Sequence, residues 1–261
     1  ENADVYCEPY MGWESQLWVL EKVNNNDLLK PLNFHQNEHN VVKNNVVELI
    51  SELKTNYIPN HSKKFYLQVR NIDRDLEKFN KLSDIERAAR FYYLNKACFN
   101  GIWRVNSKGQ NNVPFGKSIK APIVNSKQFK ELSKFYLNKK ISFRNVSYKE
   151  CVRSATSGDF VYFDPPYDVE KGQSSFVSYT KSGFNRKNQK ELKELCDRLI
   201  KKGVKVAISN SDTKFIRELY SNSDYATYEI HDRIVSNRTI AASKKARKPV
   251  VELLIVGRMK K

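Results

Sequence analysis

Histidine is scarce in this chain, with four residues, and the four cysteines (Cys7, Cys98, Cys151, Cys196) lie far apart with no Cys-x-x-Cys pair. A structural zinc site, which needs thiolates or imidazoles at short spacing, is therefore not expected; free thiols in a reducing compartment fit best. Apolar runs are short: no stretch reaches the roughly 18 residues that cross a bilayer, and no signal peptide is visible from Glu1 onward. A soluble, cytoplasmic protein is expected, and without an initiator Met the chain need not begin where its gene does. Internal repeats and long Pro/Gly/Ser linkers are missing too, so 261 residues read as one large domain or one domain carrying an insertion. Acidic residues are outnumbered, 29 Asp plus Glu against 46 Lys plus Arg, for a net charge of +17. Such an excess favours a polyanionic partner, and 14 Tyr with 14 Phe supply stacking surfaces among the cations.

Along the chain, residues 5–7 suit a short strand, followed by a turn at 9–12, and 14–23 suit a helix. Residues 41–54 carry apolar side chains at helical spacing (Val42, Val46, Leu49, Ile50, Leu53), and a further helix begins near 65–69. Residues 84–97 read as a helix opened by Ser83, with Ile85, Ala88, Ala89, Tyr92 and Tyr93 on its inner side. Periodicity then fails from 98 to 117, a stretch rich in Gly and Asn that reads as a functional loop or a hairpin. The second half alternates: strand 160–163, amphipathic helix 187–201, strand 204–209, helix 213–220, strand 226–230 and an apolar last strand 249–256. This alternation predicts a mostly parallel α/β sheet covered by helices. The aromatic, basic middle is an insertion, so the expected division is 1–54 with 141–261 as one domain and 55–140 as the other.

The most informative residues are Asp164-Pro165-Pro166-Tyr167, at the end of the apolar run 159–163. An sp2 amine needs acceptors that draw its nitrogen toward tetrahedral geometry. Asp164 can accept one hydrogen bond from such an amine and the Pro165 carbonyl a second, while Tyr167 offers a flat face for a base. The two prolines fix the backbone that aims these oxygens. A ligand site at the carboxyl end of a sheet strand is where an α/β fold places one.

The order Glu8-Pro9-Tyr10, then Phe99-Asn100-Gly101-Ile102-Trp103-Arg104-Val105-Asn106, then Asn112-Val113-Pro114-Phe115-Gly116, then the tetrad, resembles the DNA adenine methyltransferase (Dam) family. The likeness runs from about Tyr6 to the C-terminus, and it includes the GATC-specific members and the type II restriction-modification methylases. It implies a Rossmann-like methyltransferase sheet with helices on both faces and an inserted helical and hairpin recognition domain. The implied reaction moves a methyl group from S-adenosylmethionine to adenine N6, with the adenine of GATC as the expected target, after the base is flipped out of double-stranded DNA. No metal takes part. The implied setting is bacterial or phage, with a restriction endonuclease as a functional companion.

By the same resemblance Asp164, Pro165, Pro166 and Tyr167 are catalytic, and Glu8, Pro9, Tyr10, Gly12, Glu38, Ser147, Tyr148 and Asp164 hold the cofactor. Arg104 would fork onto guanine, Phe99 and Ile102 would wedge into the base stack, and Pro114 would touch a thymine methyl. Asn100, Gly101, Asn106 and Asn112 complete that hairpin, and Lys96, Lys108 and Lys117 would neutralise phosphates. Phe176 and Tyr179 belong to a lid over the base, and Arg233, Ser236 and Arg238 to a C-terminal basic loop. Lys244, Lys245 and Arg247 would face phosphates.

The sequence also departs from the family. Asn111 stands where members commonly carry Phe, and the turn after Pro9 places Trp13 and Glu14 beside Gly12. Phe34 or His35 occupies the place of the acidic residue that would bond the ribose, which leaves Glu38 as the nearest carboxylate. Two readings follow: an active methyltransferase, or a homologue that binds DNA but is impaired in transfer.

Overall fold

A computed structural model of the chain describes residues 18–21, 29–30, 36–118, 121–139, 141–143, 147–169, 184–221, 223–237 and 249–260. The strand expected at 5–7 lies outside them. Among these residues the strands are β1 (Trp18–Glu21), β2 (Leu29–Lys30), β3 (Ser142–Phe143), β4 (Phe160–Phe163), β5 (Lys205–Ser211), β6 (Ala226–Asn237) and β7 (Pro249–Met259). The helices are α1 (Gln36–Asn44), α2 (Val46–Glu52), α3 (Lys63–Asn71), α4 (Leu76–Lys81), α5 (Asp84–Ala97), α6 (Ser126–Asn138), α7 (Tyr148–Cys151), α8 (Arg186–Lys201) and α9 (Lys214–Ser221). Contacts group the chain into two compact units, one made of 1–7, 16–32 and 144–261 and the other of 8–15 and 33–143. The boundaries drawn from sequence at 54 and 140 thus sit at 32 and 143 by contact, because α1 and α2 pack on α5 and α6.

The first unit is a mixed sheet in the order β1-β4-β5-β7-β6. Among the described strands only β4 with β5 is parallel; β1 with β4, β5 with β7 and β6 with β7 are antiparallel. The expected mostly parallel sheet is therefore not what the described strands form: the chain returns through a β6–β7 pair whose second strand runs against β5. Residues 18–21 are likewise a strand where a helix was expected, with Trp18 registered on Phe163 and Glu21 on Phe160. Bulky and β-branched residues such as Trp and Val favour extended backbone once a neighbouring strand offers its ladder. Between the strands, α8 follows its expectation closely. Its Leu192, Cys196 and Leu199 enter one buried cluster with Val161 and Phe163 of β4 and Val206 and Ile208 of β5, so its 3.6-residue periodicity was a true record of burial.

In the second unit α5 begins where Ser83 predicted. The Ser83 hydroxyl accepts from the Glu86 amide at 3.3 Å and Glu86 returns the bond to the Ser83 amide at 2.8 Å. That reciprocal cap contributes about 1 kcal/mol. Ala88, Ala89 and Tyr93 are buried on its inner side, while Ile85 and Tyr92 are half-buried at its margins. Tyr93 packs against Tyr57 and Phe65 with ring centroids 5.2 and 5.5 Å apart. The single helix expected over 41–54 breaks at Asn45, whose φ of −133° leaves the helical region, giving α1 and α2. A five-residue π turn, Leu53–Tyr57, then carries the chain toward α3.

Candidate active site

Asp164 to Tyr167 leave the carboxyl end of β4, which lies between β1 and its parallel neighbour β5. This is the position a ligand site requires in an α/β sheet. The Ser209 hydroxyl, at the facing end of β5, donates a hydrogen bond to Asp164 Oδ1. Burial pushes the Asp164 pKa up from the usual carboxylate range; the bonds from Ser209 and Tyr167 work against that rise, and the charge of Glu252 works with it. Among the described residues nothing donates to the Pro165 carbonyl. Tyr167 is half-buried and its hydroxyl reaches Glu252 Oε2 at 3.4 Å. Its own pKa is held high, first by burial and then by the Asp164 carboxylate.

Sequence reading missed the polar layer beneath the tetrad. Gln189 on α8 donates to the Pro166 carbonyl at 2.8 Å, and Asn210 on β5 donates to Gln189 Oε1 at 3.2 Å. Asn210 Oδ1 accepts from the Asp168 amide at 3.0 Å and the Ser211 amide at 2.9 Å. The Asp168 carboxylate is gripped by Arg186 through two bonds, at 2.9 and 3.0 Å, and by Thr213 at 2.8 Å. Apart from the half-exposed Arg186, these side chains are buried. The prior signs were Gln189, a polar residue on the apolar stripe of α8, and the segment Ser209-Asn210-Ser211-Asp212, which is similar to the strand end that follows the tetrad in the family.

The hairpin at 98–116 is irregular, closed by two isolated antiparallel bridges, Cys98 with Phe115 and Val105 with Asn111. Its tip is organised by Asn106, whose Oδ1 accepts from the Lys108 amide at 2.9 Å and the Gln110 amide at 3.0 Å. Arg104 is exposed and donates through Nε to Asn112 Oδ1 at 2.7 Å. Phe99, 47% exposed, stands out from the hairpin base with Asn100 and Gly101, both at positive φ, and Ile102 is half-buried. Pro114, Lys96, Lys108 and Lys117 are exposed. Gly116 is required by close approach: a Cβ there would stand 2.5 Å from the Cys98 carbonyl oxygen.

Asn111 has a structural account. It is buried beneath the returning limb, its amide donates to Asp73 Oδ2 at 2.8 Å, and its Oδ1 accepts from the Val113 amide at 3.2 Å. Arg74 donates to the Asn111 carbonyl, and Tyr66 and Arg70 donate to the Val113 carbonyl at 2.9 and 3.1 Å. Arg90, buried, pairs with Asp73 at 2.8 Å. The limb is therefore tied by polar bonds to α3 and to the 72–74 turn, with Arg90 of α5 backing Asp73, at the position where an aromatic side chain is common.

Of the residues expected to hold the cofactor, Glu8, Pro9, Tyr10 and Gly12 lie outside the described residues. Ser147 caps α7 by accepting from the Glu150 amide at 3.2 Å, and Tyr148 packs half-buried against the sheet core. Glu38 is buried on α1, where desolvation lifts its pKa to about 7. Phe176, Tyr179, Arg238, Lys244, Lys245 and Arg247 also lie outside the described residues. Arg233 and Ser236 fall in strand β6 rather than in the expected loop. Ser236 is registered on Val250, and Arg233 sits in the register shift between His231 and Ile234. The ladder with β7 extends the strand expected at 226–230 through Asn237.

A strand-end carboxylate followed by two prolines and a tyrosine, held from below by a buried polar layer, is an arrangement that suits an amino group as its ligand. The profile of the D12 class of N6 adenine-specific DNA methyltransferases matches residues 1–236, and the chain belongs to that family. It is 36% identical over 259 residues to the type II methyltransferase M1.LlaDCHI of Lactococcus lactis subsp. cremoris, covering 98% of this chain and 87% of that protein. It is 35% identical over 270 residues to the type II methyltransferase M.MjaIII of Methanocaldococcus jannaschii, with 98% and 89% covered. With the DNA adenine methylase of Escherichia coli it shares 31% over 221 residues, 83% of this chain and 73% of that one. Among the described residues no helix is long and apolar enough to cross a membrane.

Proposed function

We propose that this DNA adenine N6-methyltransferase uses S-adenosylmethionine, acts on an adenine flipped out of duplex DNA, and reads GATC through the Arg104 hairpin. The observation that carries this reading is the Asp164 carboxylate, held on one side by Ser209 beside a Pro165 carbonyl that has no donor among the described residues. Two acceptors at the end of one strand suit an exocyclic amine. Asp164 takes one amino proton into a hydrogen bond and the Pro165 carbonyl the other, leaving the N6 lone pair directed at the methyl group. S-adenosylmethionine, when bound, would supply the methyl group and leave as the neutral thioether S-adenosylhomocysteine, while Asp164 and the Pro165 carbonyl hold the amino group that gives up one proton to water. Catalysis is alignment, with no covalent enzyme intermediate.

The donor supplies a sulfonium methyl. The described residues fit such a cation on one count: the carboxylates of Asp164 and Glu252 flank Tyr167. Ser147 and Tyr148, close in sequence to β4 and in the same unit, would join its binding.

In this reading the unit with 144–261 performs transfer and the unit with 33–143 recognises DNA. Exposed Arg104 takes guanine O6 and N7, Phe99 enters the gap left by the flipped base, and Lys96, Lys108 and Lys117 contact phosphates. Two of the similar proteins carry type II names, and a companion restriction endonuclease is part of the proposal. The intact tetrad favours transfer over a role as a DNA-binding homologue alone, since binding DNA needs no amine pocket. The test is transfer of labelled methyl from S-adenosylmethionine to duplexes with and without GATC, using the wild type and Asp164→Ala. Incorporation confined to GATC duplexes and abolished by Asp164→Ala is expected. Transfer by Asp164→Ala at the wild-type rate would sink the tetrad assignment.

A further inference from the structure

We propose that Gln189 and Asn210 are positioning residues for methyl transfer, forming one hydrogen-bonded chain that fixes the backbone on both sides of Tyr167. This rests on the reading of the tetrad as the adenine pocket and deepens it. The chain runs from the Pro166 carbonyl to Gln189 Nε2, from Gln189 Oε1 to Asn210 Nδ2, and from Asn210 Oδ1 to the Asp168 amide, at 2.8, 3.2 and 3.0 Å. The peptide group before Tyr167 and the one after it are thus tied to two different elements, α8 and β5.

Three features set this apart from ordinary core packing. Gln189 and Asn210 are 1% and 0% exposed, and burying two primary amides is costly unless their polar atoms are paired. Each pairs both its donor and its acceptor, and the two terminal partners are backbone atoms of the tetrad segment. The chain also has one direction only. Reversing the Gln189 amide would set its oxygen against the Pro166 carbonyl, so the arrangement accepts a single placement of that carbonyl. Beside it, Ser211 donates to the Asp168 carbonyl, and Arg186 and Thr213 hold the Asp168 carboxylate, so the residue after Tyr167 is held at its amide, carbonyl and side chain. Two prolines limit rotation before Tyr167; this layer limits translation after it. Misplacement of a reacting group by about 1 Å is enough to slow a reaction on the order of a hundredfold.

Gln189→Glu keeps size and the acceptor toward Asn210 but puts a second oxygen against the Pro166 carbonyl. Asn210→Asp keeps the acceptor for the Asp168 amide and loses only the bond to Gln189; Asn210→Leu loses all of them. The expected result in the full-length protein is a fall in kcat of about 10- to 100-fold for Gln189→Glu, with KM for DNA and affinity for S-adenosylmethionine within about twofold of wild type. Asn210→Asp should retain more kcat than Asn210→Leu. Circular dichroism melting reports which variants fold, and the two charged near-isosteres keep the test open if Asn210→Leu does not. Wild-type kcat in folded Gln189→Glu, or an equal loss of kcat and DNA affinity, overturns the positioning role. Asp164→Ala in the same assay separates the two ideas. If it is inactive while Gln189→Glu is normal, only the positioning role fails; if it is active, the pocket reading itself fails.

Discussion

Arg104 and Asn112 are locked together across the hairpin: Nε donates to Asn112 Oδ1 at 2.7 Å and Nη2 to the Asn112 carbonyl at 3.3 Å. One edge of the guanidinium is thereby spent inside the protein. The edge carrying Nη1 faces away from these two bonds and is the one the proposed guanine contact would use. Arg104→Ala should cost about 1–3 kcal/mol of discrimination between GATC and a duplex with that guanine replaced. Asn112→Ala should lose a smaller part of it, because the arginine remains but is no longer held. Competition binding at fixed salt measures both, and unchanged preference in Arg104→Ala would remove the hairpin from recognition.

Asp73 anchors the limb that carries Asn112. Asp73→Asn would leave Arg90, whose side chain is 5% exposed, without its carboxylate. Removing one partner of a buried pair typically costs about 3–5 kcal/mol. A marked drop in melting temperature is expected, together with weakened GATC preference in the fraction that stays folded. A melting temperature equal to wild type would show that the anchor is dispensable.

Ser209 sets where Asp164 titrates. Burial raises that pKa and the hydroxyl opposes the rise, while the proposed transfer would need the carboxylate form as acceptor. Activity should fall as pH drops through the raised pKa, and Ser209→Ala should move this acid limb to higher pH, since it removes a bond that favours the charged form. A pH profile of kcat reads the shift; a limb that stays put would mean that another group titrates.

Glu38 makes stability depend on pH in the opposite sense to most carboxylates. Its pKa rises from 4.5 unfolded to about 7 folded, so the folded state binds the extra proton between those values. Stability from this group is complete below about pH 4.5 and is lost as pH climbs through 7, a change of roughly 3 kcal/mol at most. Glu38→Gln should flatten that slope and be the more stable protein at pH 8. Urea unfolding at pH 5 and pH 8 checks it, and identical slopes in both proteins would place Glu38 in water.

Helices α5 and α8 were legible in advance because each announces itself locally, α5 through Ser83 and a repeating apolar face, α8 through Leu192, Cys196 and Leu199. The place of the tetrad at a strand end was legible for a similar reason, since the apolar run before it is short and continuous. The strand at Trp18–Glu21 was not, because four residues have no decisive period and their conformation is fixed by the ladder to β4. Nor was the mixed order of the sheet, which depends on where β7 inserts.

The candidate tetrad, the basic charge and the family likeness are properties of residue type and order, and they could be read along the chain. What holds the tetrad and the hairpin depends instead on contacts made in the fold. Gln189 meets Pro166 across 23 positions, Asn210 meets Asp168 across 42, and Asp73 meets Asn111 across 38. Buried polar groups must find partners wherever the fold brings them, and neither their spacing nor their identity records that partner in the chain.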